Sequence, residues 1–486
     1  MSRLASRLRR IRDYLGQDSR PHSKACALLA AGLLLTCGAE RVAHAGGPLG
    51  AQGTRIQTSR YTVDLFQGPV LATTRITALG GAYTAIAEGT EGIPFNPAAA
   101  SLRPPYSTTR DDYDLTAGLT LPASVTGTDY DNNGSVGFTY DKFFWLTFGG
   151  LLQSDKLGFG MIAAFQQYSL GVPGTPVPLP NSDEVIASVT ARLVRLDPVV
   201  SYGFLDHQLH LGAGLRFTGF YGIGNTGLIG GTVDNERLLI NSNTAGLQAG
   251  ALWVPNDLPL RVGGSARSPQ VQVVNDEGRI AANADGDRVV GNVFLPDRVD
   301  LPWEVEGGVA VQLWKRPFNI PWHDEEKVPK PDTERWRRAT KNGEPEPHAM
   351  GARRLLKARY AEIPRQRLLL SFSALVSGAV QNAVGVESML AQTVDRSGQR
   401  TVVTLRGGAE AEVIPSWLVL RAGSYLEPTR YRAGHTRLHG TGGFALRVLR
   451  WSVFGLFDED TLFRVSVAVD GARDYFGWSI GAGLFR

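Results

Sequence analysis

From Tyr113 onward the chain repeats one pattern, segments of about ten residues in which every second side chain is apolar. Leu157, Phe159, Met161, Ala163 and Phe165 are interleaved with Gly158, Gly160 and Gln166. Leu211, Ala213, Leu215 and Phe217 stand against Gly212, Gly214, Arg216 and Thr218. Val305, Val309, Val311 and Leu313 stand against Glu306 and Gln312, and Val403, Leu405, Ala409, Ala411 and Val413 against Thr404, Arg406, Glu410 and Glu412. Phe463, Val465, Val467 and Val469 repeat it against Arg464, Ser466 and Asp470. A period of two is that of a strand with one apolar face, and about ten residues of tilted strand cross a hydrocarbon layer of roughly 25 Å. No stretch approaches 18 unbroken apolar residues, so spanning helices are not expected.

A soluble β-sandwich alternates in the same way. Three features favour the membrane. Gly158, Gly160, Gly212 and Gly214 occupy the second face, where a soluble sheet wants β-branched residues to pack. Phe143, Phe144, Trp145, Trp253, Trp303, Trp314, Trp417 and Trp451 gather towards strand ends, as interfacial girdles require. The chain also ends in an alternating strand, Phe476, Trp478, Ile480, Ala482 and Leu484, with Phe485 out of phase before Arg486. About 14 such segments fit between Tyr113 and Phe485, and an even number suits a bacterial single-chain barrel. The expected fold is all-β, a transmembrane antiparallel up-and-down β-barrel of about 14 strands.

Residues 1–45 read as a signal peptide: basic Met1 to Lys24, apolar Ala25 to Leu35, then Ala43-His44-Ala45 as a small-x-small cleavage site. The competing reading takes Leu34-Leu35-Thr36-Cys37 as a lipoprotein box, with Thr where a small Gly or Ala is expected. The leader holds 8 of the 50 Lys and Arg and 3 of the 46 Asp and Glu, leaving 42 against 43 and a net charge of −1. No basic face remains to argue for nucleic acid. Cys26 and Cys37 both lie in the leader, so disulfides, thiolate nucleophiles and Cys-ligated metals are excluded from the rest.

Turns are expected at Asp131-Asn132-Asn133-Gly134, Pro255-Asn256-Asp257, Ser397-Gly398 and Asp470-Gly471. The polar insert Gln270 to Pro302 and the Pro-rich, charged insert Lys315 to Arg367, with a short helix around Met350 to Tyr360, are separated by one strand. They should therefore lie on opposite sides of the membrane, with 315–367 on the periplasmic side. The domain expectation is a signal peptide over 1–45, an N-terminal extension and plug over 46–112, and the barrel over 113–486.

Ahead of the first strand the alternation fails. Arg75-Ile76-Thr77-Ala78-Leu79-Gly80-Gly81-Ala82-Tyr83-Thr84-Ala85-Ile86-Ala87-Glu88 reads as a helix or tight coil of small residues, and Asn96-Pro97 should stop it. A stretch of this kind cannot be a membrane strand, so it is expected to fold into the lumen. It resembles the FadL/TodX family of outer-membrane transporters for long-chain fatty acids and aromatic hydrocarbons. The resemblance lies in Leu79, Gly80, Gly81, Ala82 and Tyr83, in Ala85-Ile86-Ala87, and in Asn96, Pro97 and Ala98. It covers about 25 residues strongly, the rest of the chain agreeing in architecture rather than letters. Glu88 stands where Asp is commoner, and 315–367 is an addition.

What the resemblance implies is a plugged lumen with an apolar pocket, a shift of the plug, and lateral exit of a hydrophobic ligand through the wall. PorV-type secretion components share the motif, which leaves a structural or secretion-associated barrel as the alternative. A turn that merely seats the plug accounts equally well for Asn96-Pro97-Ala98. Phe143 and Trp145, with Phe454 and Leu456, are the candidate ligand-binding residues, against the plainer reading of an aromatic girdle. No enzyme, cofactor or metal is expected. Expected partners are a hydrophobic ligand, outer-membrane lipid and lipopolysaccharide, and the barrel-insertion machinery, around a monomer.

Four motifs are set aside. Asp129-Tyr130-Asp131-Asn132-Asn133-Gly134 begins like a calcium loop, but Tyr140 falls where a bidentate Glu is needed. Gly222 to Gly227 spells a dinucleotide fingerprint with no helix to follow it. His435 and His439 would lie roughly 13 Å apart on a strand, too far for one metal. Arg353, Arg354, Lys357 and Arg359 read as a solvated charged face rather than a lipid-binding one.

Overall fold

The computed structural model describes residues 49–486 apart from 105–106, 108–109, 123–127, 137–140, 172–176, 179–183, 229–234, 275–282, 291–292, 322–361, 365, 416, 451–460 and 486. The leader, the helix expected at Met350 to Tyr360, Trp451, Phe454 and Leu456 lie outside the described residues.

Fourteen antiparallel strands form the wall: β1 (Asp111–Pro122), β2 (Asp141–Ser154), β3 (Leu157–Gly171), β4 (Glu184–Phe204), β5 (Leu209–Leu228), β6 (Asn235–Trp253) and β7 (Leu260–Arg267) make the first half. The second half is β8 (Glu304–Gln312), β9 (Leu368–Ser377), β10 (Val402–Ile414), β11 (Leu418–Glu427), β12 (Arg437–Arg450), β13 (Leu462–Ala472) and β14 (Tyr475–Phe485). Each pairs with its neighbours in the chain, and β1 pairs with β14 from Asp114↔Phe485 to Pro122↔Gly477, which closes the barrel. The alternation has the sense read from the sequence. Phe148, Leu152, Phe159, Phe372 and Leu405 point outward and are more than half exposed, an arrangement water would penalise and lipid requires.

The two ends differ. Connections 155–156, 205–208, 254–259 and 415–417 are short and share one end with the C-terminus of β14 and with insert 313–367; we call it the turn end. Trp253, Trp314 and Trp417 are exposed at that rim. The opposite, loop end carries 123–140, 268–303 and 378–401. Asp470 and Gly471 do not form the turn expected of them. They continue β13, and the reversal falls at Arg473-Asp474, where Asp474 takes the left-handed conformation (φ 56°).

Over the loop end lies a five-stranded sheet. Thr62–Asp64 runs parallel between Arg298–Leu301 and Ala383–Gly385, flanked by Gln270–Val273 and Arg396–Ser397. From this sheet the N-terminal segment runs through α1 (Thr74–Ala78) and the 3-10 turns Thr90–Gly92 and Pro97–Ser101 to the start of β1 at the turn end. The helix is shorter than Ala82, Ala85 and Ala87 suggested, because Gly80 and Gly81 both take positive φ and break it. Asn96-Pro97 starts a turn rather than stopping a helix: Asn96 caps it, accepting the Ala98 N–H at 3.0 Å, and Pro97 occupies its first position.

The inward glycines now have a cause. A Cβ on Gly158 would lie 1.8 Å from the Ala100 carbonyl oxygen, on Gly212 2.4 Å from Pro97 C, and on Gly263 2.2 Å from the Thr84 oxygen. On Gly408 and Gly423 it would meet Leu79 at 2.6 and 2.4 Å. These strands come from several sides of the barrel, so the segment they clear room for lies within it.

Candidate functional site

The family-like motif residues form the seat of that segment. Gly80 packs so closely on β11 that a Cβ would stand 2.9 Å from the Ser424 backbone. Leu79 and Tyr83 are fully buried, and the Tyr83 hydroxyl accepts from Arg75 and donates to the Glu88 carbonyl, both at 2.8 Å. Asn96 donates to the Thr84 and Ala251 carbonyls at 3.0 Å each, tying the segment to β6. Pro97 and Ala98 rest on Gly212, and Gly250 clears Asn96. These six residues therefore hold the segment, and neither they nor Gly81 line either cavity described below.

Glu88 is the hub of an ionic network around the segment. Arg75 reaches it at 2.8 Å, Arg261 of β7 at 3.0 Å and Arg367 at 3.1 Å, while Arg75 also pairs with Glu410 of β10 at 2.8 Å. Burial raises the Glu88 pKa, but Arg367, Arg75 and Arg261 outweigh it and hold the carboxyl well below the usual range.

This network roofs a chamber towards the turn end. It is lined by Arg75, Glu88, Glu91, Arg316, Glu412 and Arg464 among others, with about 950 Å³ of empty space. It is laced with ion pairs: Arg316 meets Glu412 at 2.8 Å, Arg421 meets Glu410 at 2.8 Å, and Arg464 meets Glu91 at 3.1 Å. An apolar body gains nothing by entering such a space.

A second cavity lies nearer the loop end, between segment residues Leu65 to Leu71 and the wall. One side is apolar, with Leu65, Phe66, Val70, Phe95, Leu301 and Leu375. The other carries Arg195, Arg216, Arg267 and Arg406 with Asp197 and Glu304. Beside it the hydrogen-bond ladder between two strands is interrupted. β4 and β5 pair at Leu196↔Phe217 and again at Val199↔Gly214, but not at the two positions between, Asp197 with Arg216 and Pro198 with Leu215. Proline lacks the ladder N–H, and the register on either side of the gap is the same. Leu196, Pro198 and Val200 alternate outward, so Pro198 faces lipid while Asp197 and Arg216 face the cavity.

Phe143 and Trp145 point inward rather than forming a girdle. Phe143 packs on Tyr130 and Tyr168, with ring centroids 4.7 and 5.4 Å away, and neither residue lines the two cavities. The calcium-like loop spends its oxygens on its own backbone, Asp129 accepting from the Asn133 and Gly134 N–H groups at 3.0 Å. No cluster of His, Cys, Asp and Glu fit for a metal occurs among the described residues. His439 sits between Asp470 at 2.8 Å and Glu427 at 2.7 Å, and the Tyr425 hydroxyl bridges Asp470 to the Val70 N–H. The cavity arginines were missed as a group, although Arg216, Glu306 and Arg406 stand at inward positions of the alternation.

No family pattern and no curated protein matches the sequence. Among solved structures, a FadL homologue from Pseudomonas aeruginosa is 12% identical with a TM-score of 0.45, covering 89% of this chain and 99% of its own. The Pseudomonas putida toluene transporter TodX is 12% identical with a TM-score of 0.42, covering 86% and 99%. The monoaromatic hydrocarbon channel CymD is 10% identical with a TM-score of 0.42, covering 85% and 96%. These are likenesses to solved structures, and the barrel itself stands on its own strand pairing.

Proposed function

We propose that this chain is an outer-membrane channel for hydrophobic small molecules such as long-chain fatty acids, exported by a cleaved signal peptide and working as a monomer. The observation that carries the reading is the half-apolar cavity lying against the place where the β4–β5 ladder is broken at Pro198. A ligand leaving water gains about 25 cal/mol per Å² of apolar surface, so a greasy site opening sideways delivers it downhill into the bilayer. The charged lining of the turn-end chamber argues against a path straight through for an apolar ligand. Short turns mark the periplasmic side of such barrels, which supports a periplasmic insert 315–367 and an outer five-stranded cap. The luminal segment acts as the plug. Its motion is confined to Phe66 to Leu71, because the part from Leu79 to Ala100 is wedged against glycines.

The test uses a chain without cysteine after residue 37. Pro198→Cys with Leu215→Cys places two thiols across the gap. Uptake of a long-chain fatty acid by cells carrying this variant should fall to the level of cells without the gene when oxidised and return on reduction. Undiminished uptake with the disulfide formed would sink lateral exit at this gap, and no uptake by the unaltered chain would favour the secretion-associated barrel.

A further inference from the structure

A buried chain of titratable groups holds the luminal segment near the loop end. His439 of β12 is fully buried between two carboxylates, its Nδ1 at 2.8 Å from Asp470 of β13 and its Nε2 at 2.7 Å from Glu427 of β11. Both ring nitrogens can donate at once only in the imidazolium, because a neutral ring carries a single N–H. The contact is passed on to the segment by two routes. The Tyr425 hydroxyl donates to the other Asp470 oxygen at 2.7 Å and accepts the Val70 N–H at 3.2 Å. Glu427 meets the segment directly: its Oε1 is buried with no hydrogen bond among the described residues, and a Cβ on Gly68 would stand 1.9 Å from it.

The remaining groups around the ring do not replace its charge. Tyr425 stacks on it with centroids 4.2 Å apart, Tyr475 of β14 lies at 5.1 Å, and Arg437 of its own strand pairs with Glu427 at 2.8 Å. Asp129 stands 4.0 Å from Arg437 and is held by N–H groups of its own loop. Arg437 and an imidazolium therefore balance Glu427 and Asp470. A neutral ring would leave one guanidinium for two buried carboxylates and would turn a lone pair towards one of them. If Asp470 withdraws, Tyr425 loses its acceptor and its hold on Val70; Glu427 has Gly68 against its free oxygen and cannot turn without displacing it. We infer that His439 is a proton-operated latch on Gly68 to Val70, closed as the imidazolium and released when the ring loses its proton. The latch rests on the packing of the segment and not on the channel reading, so a secretion-associated barrel would carry it too. Pro69 and Val70 line the half-apolar cavity, so release reshapes that cavity and leaves the part wedged on glycines in place. The closed state holds one proton more than the open one, so it weakens as pH rises, by up to about tenfold per pH unit once the closed-state ring titrates.

Hydrogen exchange of the purified full-length chain in detergent reads the latch at Phe66 to Leu71. Corrected for intrinsic rates, exchange there should be at least about tenfold faster at pH 9 than at pH 6, while Leu79 to Ala100 changes by less than about twofold. His439→Gln should remove the pH step. A step missing from the unaltered chain would overturn the latch, as would one that persists in folded His439→Gln or one that spreads equally through Leu79 to Ala100. Tyr425→Phe keeps His439 and both carboxylates and cuts only the link from Asp470 to Val70, so it decides the matter if His439→Gln loses the compact band on unheated gels. It should bring exchange at pH 6 to within about threefold of the unaltered chain's value at pH 9. Exchange as slow as in the unaltered chain would refute the assignment.

Discussion

Replacing Glu88 by Gln should loosen the luminal segment without opening the barrel. The carboxylate meets three guanidiniums, Arg75 at 2.8 Å, Arg261 at 3.0 Å and Arg367 at 3.1 Å, all with little access to solvent. Removing one member of a buried pair costs about 3–5 kcal/mol, because the partner stays buried and charged. Glu410 still serves Arg75 and Arg367, at 2.8 and 3.4 Å, so the lower figure of about 3 kcal/mol applies. That corresponds to a roughly 150-fold larger population of the opened segment. Hydrogen exchange over Thr73 to Ser101 reads it directly, with exchange in β3 and β10 as the internal standard. Glu88→Asp keeps the charge and should recover most of the protection. Because Glu88 is held well below the usual carboxylate range, its contribution is complete above the unfolded pKa and is lost only as pH falls through the lower folded value. The effect should therefore be the same at pH 5.5 and pH 8. An increase in exchange of less than about threefold, worth under roughly 0.7 kcal/mol, would mean that the network does not anchor the segment.

Gly158→Ala puts a methyl 1.8 Å from the Ala100 carbonyl oxygen and should cost about 1–3 kcal/mol, seen as earlier loss of the compact gel band on heating. Gly440→Ala, with nothing within 4 Å, is the control and should stay within about 0.5 kcal/mol. Asp131, in the loop-end connection, is pushed up to about 7 by burial, against the lowering effect of the Tyr431 hydroxyl, with Asp129 and Asp395 raising it further. A raised folded pKa means that its contribution is fully present below the ordinary carboxylate value and lost as pH rises through about 7. Exchange of residues 128–136 should therefore be faster at pH 8 than at pH 5.5 after correction for intrinsic rates, and Asp131→Asn should abolish that difference.

The barrel was legible because lipid imposes a strict rule: each spanning strand must offer apolar side chains on one face throughout. Phe159 and Leu405 declare that rule locally. The other face is governed by what fills the lumen, and this depends on contacts across the chain. Gly158 is explained only by Ala100, and Gly423 only by Leu79, partners that no periodicity connects. The cavity was illegible for the same reason. Arg195 and Arg267 come together across β4 to β7, and the sequence shows each as one more inward charge. Aromatic position misled as well: Phe143 and Trp145 sit near a strand end like girdle residues, yet their odd positions on β2 turn them inward. Leu146, Phe148 and Leu152 are members of that strand which meet lipid.

The placement of Thr62–Asp64 sets an order on assembly. It pairs in parallel with Arg298–Asp300 and with Ala383–Gly385, stretches that lie more than 200 residues further along the chain and are held by separate loops. Contacts over such separations form late, since loop closure must precede them. The segment after Thr62–Asp64 leads into β1, whose pairing with β14 is the closing step of the wall. It must accordingly be inside before β1 and β14 join, and it is locked at the loop end only once both loop strands are in place. Locked there and wedged on glycines below, the segment cannot leave as a body. Between those two anchors, residues Leu65 to Leu71 line the half-apolar cavity, and under the proposed channel reading this is the stretch a passing ligand would have to move.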